Sequence, residues 1–174
     1  MQINILPIGR HIDQDILERI SEGLAKTFPG RVRIMKEIRP PEDAYNPQRR
    51  QYVSSKILGK IRSLKTGKSE LILGVTDVDI YAPKLNFVFG EADTAAGVVL
   101  ISLVRLREEF YGHRPDRRLF RERAVKEAVH ELGHACGLDH CDNPECIMYF
   151  SNSIADTDRK GPGFCSLCKE TLGI

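Results

Sequence analysis

HELGHACGLDH, residues 130–140, is the motif around which the rest of the chain is arranged. In a helix, His130 and His134 stand one turn apart on the same face, so both imidazoles can reach one metal ion. Gly137 is the residue type that ends helices in the left-handed conformation, after which the chain can turn back and present His140. Three protein ligands with a fourth position left for water are typical of catalytic zinc sites, whereas structural sites are closed by four side chains. The spacing therefore predicts a catalytic zinc site on the three histidines.

Glu131 gives this predicted zinc site a general base. It is adjacent to His130 and about one turn from His134, so its carboxylate can hydrogen-bond a water on the metal without being a ligand. Zinc lowers the pKa of water from about 15.7 to about 7, and a carboxylate can then take the proton as the water attacks a polarised carbonyl. Each histidine alone would more often be an ordinary core or surface residue. The combined spacing favours hydrolytic chemistry at a catalytic zinc.

The composition of the chain limits the partners and the cellular location that we expect. With 174 residues, 41% hydrophobic and 29% charged, the chain is typical of one soluble globular domain. A net charge of +2 is too small to indicate a nucleic-acid partner or a membrane surface. Residues 1–7 lack a secretory signal pattern, and no segment approaches the roughly 18 consecutive apolar residues of a membrane span. We therefore expect a cytoplasmic protein that binds neither nucleic acid nor membrane, with a monomer as the default oligomeric state.

Ahead of the histidines, short apolar runs alternate with amphipathic segments. Asp13 is the predicted N-cap of a first helix, and Asp116 that of the long helix that carries the histidines. A second helix is predicted on an apolar face that begins at Tyr52 and Val53. The basic residues of this second helix are assigned to a solvated face, and they are Arg49, Arg50, Lys56, Lys60, Arg62, Lys65 and Lys68. The alternation predicts an α/β fold with a mainly parallel sheet.

One later apolar segment, residues 86–91, differs from these runs. It is short, alternates imperfectly and is bounded by turn residues, which predicts an edge strand. We expect residues 1–174 to form one domain. Within it, 1–137 supply the sheet and the helices up to the active-site helix, and 138–174 form a C-terminal subdomain.

Four of the five cysteines follow the histidine motif, and they are Cys141, Cys146, Cys165 and Cys168. Their spacing, CxxxxC and then CxxC, resembles the two knuckles of a closed four-cysteine zinc site. Two disulfides are the competing interpretation. The lack of a secretory signal and the odd number of cysteines favour zinc, because cytosolic thiols are kept reduced. Such a site would hold together a C-terminal segment with few apolar residues. Cys136, the fifth cysteine, is predicted to be a small buried hydrophobic residue.

Taken together, the motifs resemble those of the archaemetzincin family of metzincin metallopeptidases. They are HExxHxxGxxHCxxxxCxM over residues 130–148 and CxxC over 165–168, about the last quarter of the chain. The resemblance implies two zinc ions, a catalytic one on the histidines with Glu131 as base and a structural one on the cysteines. It makes Met148 the Met-turn residue beneath the histidines. It also implies a five-stranded sheet whose antiparallel edge strand lines the substrate cleft, and the residues assigned to that strand are Phe87, Val88, Phe89 and Gly90.

Three functions stay open on the sequence alone. The first is a zinc-dependent peptidase with a peptide or protein substrate. The second is a non-catalytic, zinc-stabilised protein-interaction module, against which Glu131 argues because a structural zinc needs no adjacent carboxylate. The third is hydrolysis of a non-peptide amide or ester by the same Lewis-acid chemistry. Phe150 stands where some metzincins carry a tyrosine as zinc ligand or transition-state donor, and Tyr149 is one residue away from that position.

Overall fold

The computed structural model describes residues 1–67 and 69–174, so Lys68 lies outside the described residues. Strands and helices alternate through the first half of the chain, and helices dominate the second half. The strands are β1 (Gln2–Ile8), β2 (Arg31–Ile34), β3 (Tyr45–Asn46), β4 (Gln51–Val53), β5 (Glu70–Thr76), β6 (Ile80–Tyr81), β7 (Gly90–Asp93) and β8 (Val98–Ser102). The α-helices are α1 (Gln14–Thr27), α2 (Ser54–Ser63), α3 (Arg117–Ala135), α4 (Ile154–Arg159) and α5 (Ser166–Leu172).

The main sheet has five strands in the order β2-β1-β5-β8-β7. The first four are parallel, and β7 alone runs antiparallel to its neighbour β8. This confirms the predicted mixed, mostly parallel sheet with an antiparallel edge strand. A second, three-stranded sheet, in the order β3-β4-β6, was not predicted.

Side chains alternate between the two faces of the main sheet and form two cores. Leu73 and Val75 of β5 belong to one cluster together with residues of α1 and α3. Ile72, on the opposite face, belongs to a second cluster with Ile57 and Ile61 of α2. The domain is therefore a three-layer α/β structure, as expected for strands that are buried on both faces by crossover helices. No helix among residues 1–67 and 69–174 has the length and apolarity that a bilayer crossing requires.

The helix α3 brings the histidine motif to the edge of this sheet. It begins where predicted, because the Asp116 carboxylate accepts the N–H of Leu119 at 2.9 Å. Its apolar residues Ala124, Ala128 and Leu132 are fully buried. Arg123 of the same helix is charged, yet its side chain is only 3% exposed.

Partners on other segments explain the burial of Arg123. Its guanidinium lies 2.7 Å from Glu108 Oε1 and 2.7 Å from Asp158 Oδ1, and it donates to the Leu106 carbonyl at 3.0 Å. A buried charge requires such pairing. Arg123 thereby joins α3 to α4 and to the segment that leads into α3.

The second predicted helix starts later than expected. Tyr52 and Val53 belong to β4, where they pair with Ile80 and Tyr81 of β6, and α2 begins at Ser54. Long-range pairing has overridden the local helical pattern. Arg49 is likewise not part of a solvated helix face, since it donates to the carbonyls of Leu85 and Asn86 at 2.9 Å.

The edge strand is also displaced from its predicted position at residues 86–91. Gly90 is the only one of its four assigned residues that lies in β7, whereas Phe87, Val88 and Phe89 precede it. Ser102 N–H still donates to Phe89 O at 2.8 Å, which extends the ladder by one bond. Val88 N–H instead donates to Ile80 O at 3.1 Å. This bond to the small sheet draws the segment away from the straight path of an edge strand.

Candidate active site

The C-terminal end of α3 places the third histidine. Gly137 adopts φ +97°, a left-handed conformation that suits glycine, and the N–H groups of Gly137 and Leu138 donate to the carbonyls of His134 and Gly133, both at 3.0 Å. These two bonds form a Schellman motif. The chain therefore reverses within one turn and returns His140 towards the last turns of the helix.

Three imidazoles meet at this turn. The Nε2 atoms of His130 and His134 are 3.2 Å apart, and one nitrogen from each of His130, His134 and His140 lies within 4.8 Å of the others. For zinc held tetrahedrally at about 2.0–2.1 Å, neighbouring ligand nitrogens lie about 3.3–3.4 Å apart. The spacing of the first two nitrogens therefore fits a shared metal ion.

The outer nitrogens of the two helix histidines define their tautomers. His130 Nδ1 donates to Ile147 O at 2.8 Å, and His134 Nδ1 donates to Leu138 O at 2.7 Å. Because carbonyl oxygens only accept, each Nδ1 carries the proton and each Nε2 presents a lone pair. Two lone pairs facing each other at 3.2 Å repel unless a cation lies between them. The hydrogen bonds thus also fit a metal-binding role for these residues.

Burial favours the neutral form of His130 and of His140. The pKa of His130 is held well below its ordinary value, first by burial and then by the nearby charge of Lys160. Burial likewise lowers the pKa of His140. Neutral imidazole is the form that binds metals, so the environment favours the binding-competent state near neutral pH.

Glu131 projects from α3 against the edge strand. A Cβ atom built on Gly90 would lie 2.5 Å from Glu131 Oε1, which shows that the carboxylate rests on the bare backbone of β7. Burial raises the pKa of Glu131 well above its ordinary value, and the neighbouring charge of Glu127 acts in the same direction. Glu131 therefore has the environment of a proton-transfer group rather than of a surface carboxylate.

A buried ion pair lies behind Glu131. Glu127 precedes Glu131 by one helical turn, and its Oε1 is 3.0 Å from the ammonium of Lys160, whose side chain is 0% exposed. Thr157 Oγ1 also donates to Glu127 Oε1 at 3.2 Å. Neither member of this pair was predicted from the sequence. The position of Glu127 on the same helical face as Glu131 could have drawn attention to it, whereas nothing in the sequence pairs Lys160 with it.

Met148 packs beneath the histidine helix. It is fully buried, and its Sδ lies 2.5 Å from the position that a Cβ on Gly133 would occupy. Its carbonyl accepts the N–H of Cys141 at 3.0 Å, next to the third histidine. The segment that contains Met148 thus contacts both the helix and the His140 turn.

The four cysteines of the C-terminal segment meet at one point. All are free thiols, their Sγ atoms lie within 4.8 Å of one another, and the pairs Cys141–Cys165 and Cys146–Cys168 are 3.8 and 3.7 Å apart. Tetrahedral zinc with Zn–S bonds of about 2.3 Å requires about 3.8 Å between sulfurs. The pKa of Cys165 is lowered to about 7, chiefly because its sulfur accepts the backbone N–H of Cys168. The cluster has the geometry of a closed metal site and not of disulfides.

A cleft of about 570 Å³ opens over the histidines. The continuous run 85–92 forms one part of its lining, and residues 150–152 form another. Phe87, Val88, Phe89 and Gly90 thus all face the cleft, even though only Gly90 lies in β7. Phe150 packs against His140 with ring centroids 4.8 Å apart.

Comparisons with known proteins agree with this architecture. Residues 10–173 match the model of Peptidase family M54. An archaemetzincin of Methanocaldococcus jannaschii is 46% identical over 172 residues, which cover 99% of this chain and 93% of that protein.

Two solved structures are also similar. The archaemetzincin of Archaeoglobus fulgidus, crystallised with malonate, is 40% identical with a TM-score of 0.83 and coverage of 98% of this chain and 99% of that one. A zinc-dependent peptidase of Methanocorpusculum labreanum is 33% identical with a TM-score of 0.89, over 97% of this chain and 99% of that one.

Proposed function

Because the chain belongs to peptidase family M54, the family of the archaemetzincins, and is therefore a zinc metallopeptidase, we propose that its cleft hydrolyses peptide bonds with Glu131 as the general base. His130, His134 and His140 hold the catalytic zinc. The observation that carries this assignment is the pair of Nε2 lone pairs 3.2 Å apart, beside a buried carboxylate in the same cleft. An interaction module without catalysis is not favoured, because the relatives are peptidases.

The roles of the residues follow from their surroundings. Zinc, when bound, supplies Lewis acidity that polarises a carbonyl and lowers the pKa of water. Glu131, held between α3 and Gly90, takes a proton from water and returns it to the leaving amine. β7 is the edge strand of the main sheet, and its outer main-chain groups offer hydrogen bonds to an extended peptide.

The test compares peptide cleavage by the wild type and by Glu131→Gln, with zinc content measured in both. We expect the substitution to lower kcat by about 100-fold or more and to leave zinc bound, since general acid–base catalysis contributes about 10²–10⁴-fold. Equal activity at equal zinc content would reject Glu131 as the base.

We further propose that Cys141, Cys146, Cys165 and Cys168 hold a second, structural zinc ion. The sulfur spacings support this assignment. Elemental analysis is expected to find two zinc ions per chain, and chelators should remove the histidine-bound ion first. One tightly held metal together with disulfide-linked cysteines would contradict the proposal.

The two sites are expected to be coupled. Cys141 follows His140 directly, and its N–H bonds the Met148 carbonyl beneath the histidines. Cys141→Ser should therefore weaken zinc binding at the histidines, which a competition titration with a chromogenic chelator would detect. Undiminished affinity at the histidines would show that the sites are independent.

A cytoplasmic location and a monomeric state complete the proposal. The five free thiols support the location, because thiols persist in reducing compartments.

A further inference from the structure

Two buried side-chain atoms lack a hydrogen-bond partner in the described part of the chain, Ser151 Oγ and Lys160 Nζ. Both residues line the cleft over the histidines. Folded proteins pair nearly all buried polar groups, because an unpaired one destabilises the fold. Both atoms, in the wall of one cleft, therefore have hydrogen-bonding capacity left for a ligand.

Lys160 has donor capacity that the fold does not use. Its ammonium carries three N–H groups, and its one close partner is Glu127 Oε1 at 3.0 Å, without a well-directed hydrogen bond among residues 1–67 and 69–174. Among the described residues that line the cleft, Lys160 is the one lysine or arginine. The acidic residues of the same lining are Glu91, Glu127 and Glu131. An anionic ligand atom therefore has a specific place to bind.

Ser151 adds a hydroxyl donor to the wall of the same cleft. It follows Phe150, whose ring packs on His140 and which brings no hydroxyl of its own. The buried Ser151 Oγ can donate one hydrogen bond at no cost to other contacts, because it makes none within the described residues. A serine hydroxyl and an ammonium together are suited to a negatively charged oxygen.

We propose that Ser151 and Lys160 form an oxyanion subsite that binds a negatively charged oxygen of the substrate. This proposal rests on the peptidase function of the cleft. The oxygen has two sources: a carboxylate of the peptide, or the scissile carbonyl oxygen as it gains charge in the tetrahedral transition state. A carboxylate is bound in the ground state, whereas the tetrahedral oxygen is bound only at the transition state.

Three variants separate this role from a structural one. Ser151→Ala removes an unpaired buried hydroxyl, so it should fold with unchanged or higher thermal stability while it weakens ligand binding. Lys160→Met alone leaves Glu127 unpaired, and the double variant Lys160→Met with Glu127→Gln removes both charges together. Lys126→Met is the matched control. Lys126 donates to the Thr157 and Asp158 carbonyls of α4, the helix that ends just before Lys160, and it is not among the residues that line the cleft.

Binding is measured by calorimetry on zinc-loaded protein in the Glu131→Gln background, so that no probe is cleaved. The first probes are a peptide with a free C-terminal carboxylate and the same peptide as its C-terminal amide. A set of peptide pairs follows, in which the two members of each pair differ only by Glu or Gln at one position. The last probe is a phosphinate analogue with a tetrahedral anionic centre. If the subsite binds a carboxylate, Ser151→Ala and the double variant should weaken binding of the carboxylate-containing peptides about tenfold or more. Binding of the matching amide peptides should stay unchanged. If the subsite binds the tetrahedral oxygen, both variants should weaken binding of the phosphinate by about 10²-fold, and all peptides should bind as before.

Either selective loss supports the subsite and identifies its source. Unchanged binding of every probe by both variants would overturn the proposal, as would a Ser151→Ala protein that is clearly less stable than its parent. The binding measurements do not depend on turnover. Failure of the peptidase function, seen as no cleavage by the wild type, is therefore distinguishable from failure of the subsite.

Discussion

Gly90→Ala tests whether the edge strand positions Glu131. The backbone of Gly90 has no positive φ, so alanine is sterically allowed by the main chain. Its new Cβ, however, would lie 2.5 Å from Glu131 Oε1 and 2.6 Å from Glu131 Cγ, whereas ordinary contacts begin at 3.4 Å. The carboxylate must therefore move by about 1 Å, and displacements of that size in a catalytic group cost about 10²-fold in rate.

We expect kcat/KM of Gly90→Ala to fall about 100-fold, which corresponds to about 2.7 kcal/mol of activation free energy. The cost in folding stability should be only about 1–3 kcal/mol, the scale of a single overpacked methyl group. The assay combines peptide cleavage, zinc content and urea denaturation on the same preparation.

Gly59→Ala is the matched control. A Cβ at Gly59 meets no atom within 4 Å, and the residue lies in α2, so alanine should raise stability by about 0.5–1 kcal/mol and leave activity unchanged. Activity of Gly90→Ala within twofold of the wild type, with zinc bound, would refute the idea that β7 positions the base.

Two further predictions concern stability. Arg123→Met removes a guanidinium that is only 3% exposed and leaves its two carboxylate partners without it, so the free energy of unfolding in urea should fall by about 3 kcal/mol. The control is Arg118→Met. The Arg118 side chain is 76% exposed, so its loss should change the free energy of unfolding by less than about 0.5 kcal/mol. Equal effects of the two would show that burial of the Arg123 ion pairs is irrelevant. The pKa of Glu37 is lowered from 4.5 because its carboxylate accepts the N–H groups of Ile12 and His11. This stabilisation is present above about pH 4.5 and is lost as pH falls through the folded-state pKa. Glu37→Gln should therefore be less stable than the wild type at pH 7 in urea unfolding, and the difference should shrink as pH falls below about 4.5. A difference that stays constant with pH would contradict the linkage.

Local patterns in the sequence account for most of the fold and for the two clusters of residues that could hold metal ions. The spacing of His130 and His134 follows from helical geometry alone, and Gly137 indicates the turn that returns His140. Asp13 and Asp116 cap the helices for which they were predicted. Such features depend on neighbours within a few residues, so the sequence expresses them directly.

Features that depend on distant partners could not be predicted in this way. Tyr52 lies in a strand because β6 pairs with it, and Arg123 is buried because Asp158 reaches it from α4. Lys160 reaches the back of the active site for a similar reason, through the ion pair with Glu127. In each case the deciding contact joins segments far apart in the chain, and no local periodicity reports it.

The hydrogen bonds from His130 and His134 have a consequence for how the site tolerates sequence change. Both acceptors, the carbonyls of Ile147 and Leu138, are main-chain atoms. A carboxylate acceptor could be lost by a single substitution, but a peptide carbonyl is present whatever side chain occupies the position. The basicity of these imidazoles is therefore robust to mutation at positions 138 and 147 as long as the backbone keeps its path. Engineering their electron donation would require a change in chain geometry rather than the replacement of a side chain.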